Sequence, residues 1–241
     1  MNSALNFADW PCTVRSGLIV TNAGDGSATL TWGDAVRKRQ RVFADGFPEH
    51  SRLRTFSLRR SALRYAAHGW AVVPGACLLG PRFSCGLGCR TVSVHPAIEP
   101  WRDHATTDPD EVAAVWSRRP YTVLLATGDA FDVLDVPAYI GMTAARTVRG
   151  PVAVTPLGRY MFLVRPGAEL RSELAQQHSV VLHGKHSWIP APPTRTPRGH
   201  VRWTVTPQQT DWQLPESARV QDALVATIPG GLPYPEARRA A

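Results

Sequence analysis

The sequence contains very little lysine. Lys38 and Lys185 are its only lysines among 27 basic residues, and the others are arginines. The formal net charge of +8 and the isoelectric point near 9.9 fit a polyanionic partner such as a nucleic acid. A GC-rich coding sequence produces the same bias toward arginine, alanine, glycine and proline. The charge alone therefore does not decide between these two explanations.

Long apolar runs are also absent, and no stretch approaches the roughly 18 apolar residues that a membrane span requires. Residues 1–12 lack the basic region followed by an apolar region that marks a secretory signal. Cysteine is scarce, at positions 12, 77, 85 and 89, which is too few for a disulfide scaffold in a chain of 241 residues. We therefore expect a cytoplasmic protein with no membrane partner.

Two common catalytic signatures are missing. The sequence has no Gly-x-Ser-x-Gly motif and no Gly-Lys-Ser/Thr motif. Their absence excludes the nucleophile elbow of the serine hydrolases and the phosphate-binding loop of the P-loop nucleotidases.

The chain divides into three parts by pattern. Residues 1–55 hold turn chemistry at 22–27 and a basic run at 36–41, and are predicted to be a poorly ordered or loosely packed extension. Residues 56–230 alternate helical and strand patterns, which predicts one mixed α/β domain. Residues 231–241 are predicted to be a frayed tail.

Several elements within that domain can be placed from local pattern. Leu58, Ala62, Tyr65 and Ala66 form one helical face, with Gly69 at the position of a helix C-cap. The stretch 107–111, Thr-Asp-Pro-Asp-Glu, is a helix start. Residues 121–126 and 131–136 are predicted to be adjacent strands, and 152–154 and 160–164 to form a hairpin. Helices are predicted at about 138–148, 168–176 and 217–226.

Six blocks occur in a characteristic order: Ala105–Pro109, Trp116, Ala126–Gly128, Phe131–Pro137, Thr155–Arg159 and Ala191–Thr194. In that order they resemble the bifunctional DNA primase/polymerase (prim-pol) N-terminal domain family, over roughly residues 60 to 205. The resemblance implies a mixed α+β fold in which helices flank a central RRM-like sheet. It also implies nucleotidyltransferase activity, with DNA or nucleotides as partners.

Nucleotidyl transfer requires two divalent metal ions, which carboxylates on one surface hold. Family members carry two acids two residues apart on a strand, so that both side chains share a face. This chain has Asp135 at the first position and Pro137 at the second. Asp132 lies three residues from Asp135, so strand alternation places it on the opposite face.

Two more functional positions depart from the family. Tyr160 stands where the resemblance implies a histidine, and Val181 stands where it implies an aspartate. Asp135 is the only one of four expected functional residues that is retained. We therefore predict a catalytically degenerate domain, inactive as an enzyme, that keeps some nucleotide or nucleic-acid binding.

The candidate binding residues are Arg159, Tyr160, His183 and Lys185. His183, Lys185 and His186 form a basic cluster that fits either phosphate binding or a solvated turn. Two alternatives stay open for the domain. It could be an active template-dependent polymerase using Mg²⁺ or Mn²⁺, with ligands from Asp129, Asp132 or a partner. It could instead be a protein-interaction module, with an unknown partner, built on the prim-pol fold.

A cysteine-rich insert spans residues 75–96. Its spacing, Cys77-x7-Cys85-x3-Cys89-x5-His95, offers the thiolate and imidazole ligands that tetrahedral zinc prefers. Some relatives carry a cysteine-rich insert that ends in His-Pro, as this one does. We expect either a structural zinc ion on these four residues or a glycine-rich loop with reduced thiols.

Overall fold

The computed structural model describes residues 50–85, 91–117 and 119–228. Most of the predicted N-terminal extension, residues 1–49, and the predicted tail 231–241 lie outside these ranges. The described residues form two compact units. The first unit comprises the residues up to Ala126 and Trp188–Val201. The second unit comprises Thr127–Ser187 and the residues from Arg202 onward.

The secondary structure is mixed, as the sequence predicted. The helices are α1 (His50–Ala66), α2 (Pro109–Trp116), α3 (Ala138–Ala144), α4 (Ser172–Ala175) and α5 (Ser217–Val225), with 3₁₀ turns at Trp101–His104 and Pro207–Thr210. The strands are β1 (Val72–Leu79), β2 (Arg82–Ser84), β3 (Tyr121–Thr127), β4 (Asp132–Pro137), β5 (Val152–Val154), β6 (Arg159–Val164), β7 (Val181–His183), β8 (Ser187–Pro190), β9 (Arg195–Thr196), β10 (Gly199–His200) and β11 (Arg202–Val205). Within the described ranges, every helix is too short or too polar to span a bilayer.

The first unit contains a four-stranded sheet in the order β2-β1-β3-β8 and helices α1 and α2. The helical face predicted for α1 is confirmed, because Leu58, Ala62, Tyr65 and Ala66 are all buried. Tyr65 also donates a hydrogen bond from its hydroxyl to the carbonyl oxygen of Pro192, at 2.7 Å. Gly69 has φ +76°, the left-handed conformation expected just after a helix.

The predicted start of α2 is confirmed in detail. Asp108 is the N-cap, and its carboxylate accepts hydrogen bonds from the backbone N–H groups of Asp110 and Glu111 at 2.8 and 3.3 Å. Pro109 occupies the first helical position, where no N–H is needed.

The second unit contains the central sheet. Its element order β4-α3-β5-β6-α4-β7 and its strand order β5-β6-β4-β7, antiparallel throughout, are the βαββαβ arrangement of an RRM-like sheet. Strand β11 extends this sheet beside β5. The helices α3, α4 and α5 cover one face, where they bury apolar side chains including Leu134, Val136, Phe162, Ile140, Leu174 and Leu224.

One expectation about strand pairing is wrong. Strands β3 and β4 are consecutive in sequence but do not pair, since β3 lies between β1 and β8, and β4 lies between β6 and β7. Both edges of each strand are therefore already hydrogen-bonded to other strands. The helices predicted at 138–148 and 168–176 are shorter than expected, ending at Ala144 and Ala175.

Candidate functional site

Asp135 lies on β4, a central strand of the RRM-like sheet, on the face opposite the helices. Its neighbours in the strand, Leu134 and Val136, point into the core beneath the helices. In the sheet register Asp135 lies directly opposite Met161 of β6 and Val181 of β7. Residues paired in this way point to the same side of a sheet, so positions 135, 161 and 181 share one face.

Arg159 binds both the side chain and the backbone of Asp135. Its Nε donates to Asp135 Oδ1 at 2.9 Å, and its Nη2 donates to the Asp135 carbonyl oxygen at 3.0 Å. Its Nη1 donates to the carbonyl oxygen of Ser179 at 2.7 Å. The two side chains are 26% and 17% exposed, so the ion pair is largely shielded from water.

His183 approaches the second carboxylate oxygen of Asp135. Its Nε2 lies 3.5 Å from Asp135 Oδ2, and its Nδ1 lies 2.9 Å from the hydroxyl oxygen of Ser187. The distance to Oδ2 is longer than a normal hydrogen bond but close enough for an electrostatic contact. Asp135 therefore faces a guanidinium on one oxygen and an imidazole on the other.

The positions at which the resemblance implies further ligands hold no carboxylate. Val181 lies directly across from Asp135, where an aspartate would point to the same metal ion. Pro137 shares the face of Asp135 two residues on, and it precedes the first turn of α3. A carboxylate at either position would stand beside Asp135, but valine and proline offer no ligand oxygen.

Tyr160 lies on the other face of the sheet. It pairs with Val136 and packs with the apolar cluster under the helices. A Cβ added to Gly141 of α3 would lie only 2.4 Å from Tyr160 Cβ, so the helix and the strand approach very closely here. The residue at this end of β6 that points toward Asp135 is Arg159 instead.

Asp132 is buried, and it binds a turn rather than facing Asp135. It is 2% exposed, and its Oδ2 accepts hydrogen bonds from the backbone N–H groups of Gly167 and Ala168 at 2.8 and 3.0 Å. Its Oδ1 has no hydrogen-bond partner among the described residues. Asp132 pairs with Val164, which lies on the helix-covered face of the sheet. Asp132 and Asp135 therefore point to opposite faces, as strand alternation predicted.

The loop after β7 carries the remaining candidates. Lys185 has an exposed side chain. Its backbone lies very close to Gly128, because a Cβ added to Gly128 would be only 2.3 Å from Lys185 Cα. Gly128 has φ +102°, which disfavours any other residue at this position. Asp129, next to it, is exposed. The Asp135 carboxylate has its contacts with Arg159 and His183 rather than with Lys185 or Asp129.

Three partners of this site were not identified from the sequence. Ser179 accepts the Arg159 bond, Ser187 contacts His183, and the hydroxyl of Tyr139 lies 3.2 Å from Ser179 Oγ. Serine and tyrosine at these places carry no motif. Only the pairing of β4 with β6 and β7 reveals that they belong to the site.

The described residues contain no group of three or more histidine, cysteine or acidic side chains that could hold a metal ion. This applies to the face around Asp135 and also to the described part of the cysteine-rich insert. Asp135 therefore has cationic and imidazole neighbours in place of further carboxylates.

Three of the four candidate zinc ligands lie near one end of β1. Cys77 pairs with Ser84, the residue before Cys85, and the backbone N–H of Ala76 donates to the His95 carbonyl oxygen at 2.8 Å. All three candidates are buried, and burial raises the pKa of the Cys77 thiol to about 12. Cys89 lies outside the described residues, so the predicted four-ligand zinc site stays a prediction.

Comparison with known proteins gives a family for the chain. No curated protein matches it significantly. The sequence profile described as bifunctional DNA primase/polymerase, N-terminal, matches residues 62–218, which covers the βαββαβ sheet with Asp135, Arg159 and His183. Since this match spans well over half of the sequence, the chain belongs to the Prim-Pol family of bifunctional DNA primase/polymerase N-terminal domains.

Proposed function

We propose that this primase/polymerase-like domain is catalytically degenerate and retains nucleotide or nucleic-acid binding. The observation that carries the proposal is the ion pair of Asp135 with Arg159, whose Nε lies 2.9 Å from Oδ1. A guanidinium from the chain itself therefore balances the charge of Asp135, the carboxylate that would otherwise attract a metal ion.

Loss of metal binding follows from charge and ligand number. A magnesium or manganese ion gives up hydration water only when several oxygen ligands replace it. Asp135 alone cannot supply them, because Pro137 and Val181 occupy the neighbouring positions on its face. An entering ion would also compete with the positive charge of Arg159, whose Nε is hydrogen-bonded to Asp135 Oδ1.

Retention of anion binding follows from the donors of Arg159. A guanidinium has five N–H groups, and the contacts to Asp135 and Ser179 use three of them. The remaining two donors, on a side chain that is 26% exposed, are the groups proposed to bind a phosphate. Lys185 adds an exposed positive charge in the same unit.

The active-polymerase alternative requires acids from elsewhere. Asp132 cannot join Asp135 without reversing its side of the strand and releasing the N–H groups of Gly167 and Ala168. Asp129 is exposed on the loop before β4 rather than on the face of Asp135. These positions favour the degenerate domain over an active polymerase.

Primer synthesis and primer extension test the proposal directly. The wild-type chain, with Mg²⁺ or Mn²⁺, is expected to give no product above that of the Asp135→Ala variant. Extension by the wild type that disappears in Asp135→Ala would establish an active polymerase and refute the proposal.

Binding is tested separately, by fluorescence anisotropy with labelled nucleotide or single-stranded DNA at low and high salt. Wild-type binding should weaken as salt rises, because phosphate contacts release counterions. Arg159→Met should weaken binding, whereas Arg219→Ala, an exposed arginine of α5 in the same unit, should leave it unchanged. No binding by the wild type at low salt would remove the second half of the proposal.

A further inference from the structure

The second unit exposes three large hydrophobic side chains. Within its described residues these are Tyr139, Met142 and Leu157, at 56%, 52% and 64% exposure. Tyr139 and Met142 are three residues apart on α3, so they lie on the same side of the helix. The turn with Leu157 packs against the start of α3, because a Cβ added to Gly158 would lie 3.6 Å from Ala138 Cβ.

Tyr139 is held by its hydroxyl, while its ring stays open to solvent. The hydroxyl oxygen lies 3.2 Å from Ser179 Oγ. The carbonyl oxygen of Ser179 accepts the 2.7 Å hydrogen bond from Arg159 Nη1. The hydroxyl of an exposed tyrosine and a partly exposed guanidinium therefore contact the same residue, Ser179.

An aromatic face next to a cation suits one class of ligand well. Proteins that bind single-stranded nucleic acids stack bases on exposed aromatic rings and bind the backbone with basic side chains. The cation that favours a nucleic acid over a neutral apolar partner here is Arg159, which contacts the same residue as Tyr139.

We propose that Tyr139, with Met142 on the same side of α3, is a base-stacking platform for single-stranded DNA, with Arg159 contacting the adjacent phosphate. This rests on the proposed function, since it names the ligand and the contact residues of the retained binding site.

Binding of a fluorescein-labelled oligothymidylate, followed by anisotropy at low salt, tests the platform. Tyr139→Ala should weaken binding by roughly five- to a hundredfold, the range for loss of one stacked base. Tyr139→Phe should bind nearly as well as wild type, because it keeps the ring face. Phe56→Ala is the matched control, since Phe56 is an exposed aromatic residue of α1 at 65% exposure, and it should bind as wild type does.

The outcomes separate the two proposals. No binding of the probe by the wild-type chain overturns the retained binding and the platform together. Wild-type binding with unchanged affinity in Tyr139→Ala overturns the platform alone and leaves the patch to another occupant, such as a protein. A loss in Tyr139→Phe as large as that in Tyr139→Ala also overturns it, because the hydroxyl and not the ring face would then matter.

Photocrosslinking gives a second readout that does not depend on affinity. A single-stranded oligonucleotide carrying 5-iododeoxyuridine reacts with aromatic side chains that lie against the base. Mass spectrometry of the crosslinked wild-type chain should identify the peptide that contains Tyr139. A crosslink found only elsewhere in the chain would contradict the platform.

Discussion

The pairing of Asp135 with Arg159 predicts a measurable coupling energy. A double-mutant cycle with Asp135→Ala and Arg159→Met isolates it, because alanine removes both carboxylate oxygens and methionine replaces the stem of the arginine without its charge. The hydrogen bond of Arg159 to Ser179 is lost in the Arg159→Met variant and in the double variant alike, so it cancels in the cycle.

The exposure of the two side chains sets the magnitude. Exposed ion pairs contribute about 0.2–1 kcal/mol, whereas breaking a fully buried pair costs about 3–5 kcal/mol. With exposures of 26% and 17%, this pair lies between the two limits. We expect a coupling of about 2 kcal/mol, in the range of a hydrogen bond between charged groups.

Urea unfolding followed by tryptophan fluorescence measures the four free energies of unfolding, and thermal unfolding checks them. For a chain of this size, about 2 kcal/mol corresponds to a shift in Tm of roughly 4–8 °C. The matched control is a cycle on Arg165 and Glu216, which form an ion pair in the same unit at 60% and 55% exposure. That control should give a coupling below about 1 kcal/mol.

A coupling between Asp135 and Arg159 below about 0.5 kcal/mol would refute this reasoning, since that is the error within which independent sites add. It would mean that the ion pair contributes nothing measurable to stability. Asp135 would then be available to a metal ion, and the main support for a degenerate site would be lost.

Two further predictions concern the zinc ligands and Asp132. Elemental analysis of protein purified without added metal should find about one zinc per chain, bound by Cys77, Cys85, Cys89 and His95. A zinc content well below one per chain, or a zinc content that Cys85→Ser leaves unchanged, would reject the site. Asp132→Ala should lower the free energy of unfolding by about 2–3 kcal/mol, because it leaves two N–H groups without their acceptor. Asp132→Asn, which keeps an acceptor oxygen, should cost clearly less, and equal losses in urea unfolding would contradict the assigned contacts.

Local physical chemistry determined much of this protein from sequence alone. The start of α2, the buried face of α1 and the hairpin of β5 and β6 depend on residues close in sequence, and all three are confirmed. Strand alternation also placed Asp132 and Asp135 on opposite faces, because that geometry needs no partner strand. The family, and with it the RRM-like sheet, followed from the order of short blocks along the chain.

Only the tertiary structure decided what surrounds Asp135. Arg159 is 24 residues away in sequence, and the contacts of His183 with Asp135 depend on the register of β7 against β4. Periodicity shows that Arg159 and Tyr160 point to opposite faces, but not which of them shares the face of Asp135. The register of β6 against β4 settles it, because a shift of one residue would exchange the two faces. Such long-range pairing depends on the packing of the whole sheet, which no local pattern records.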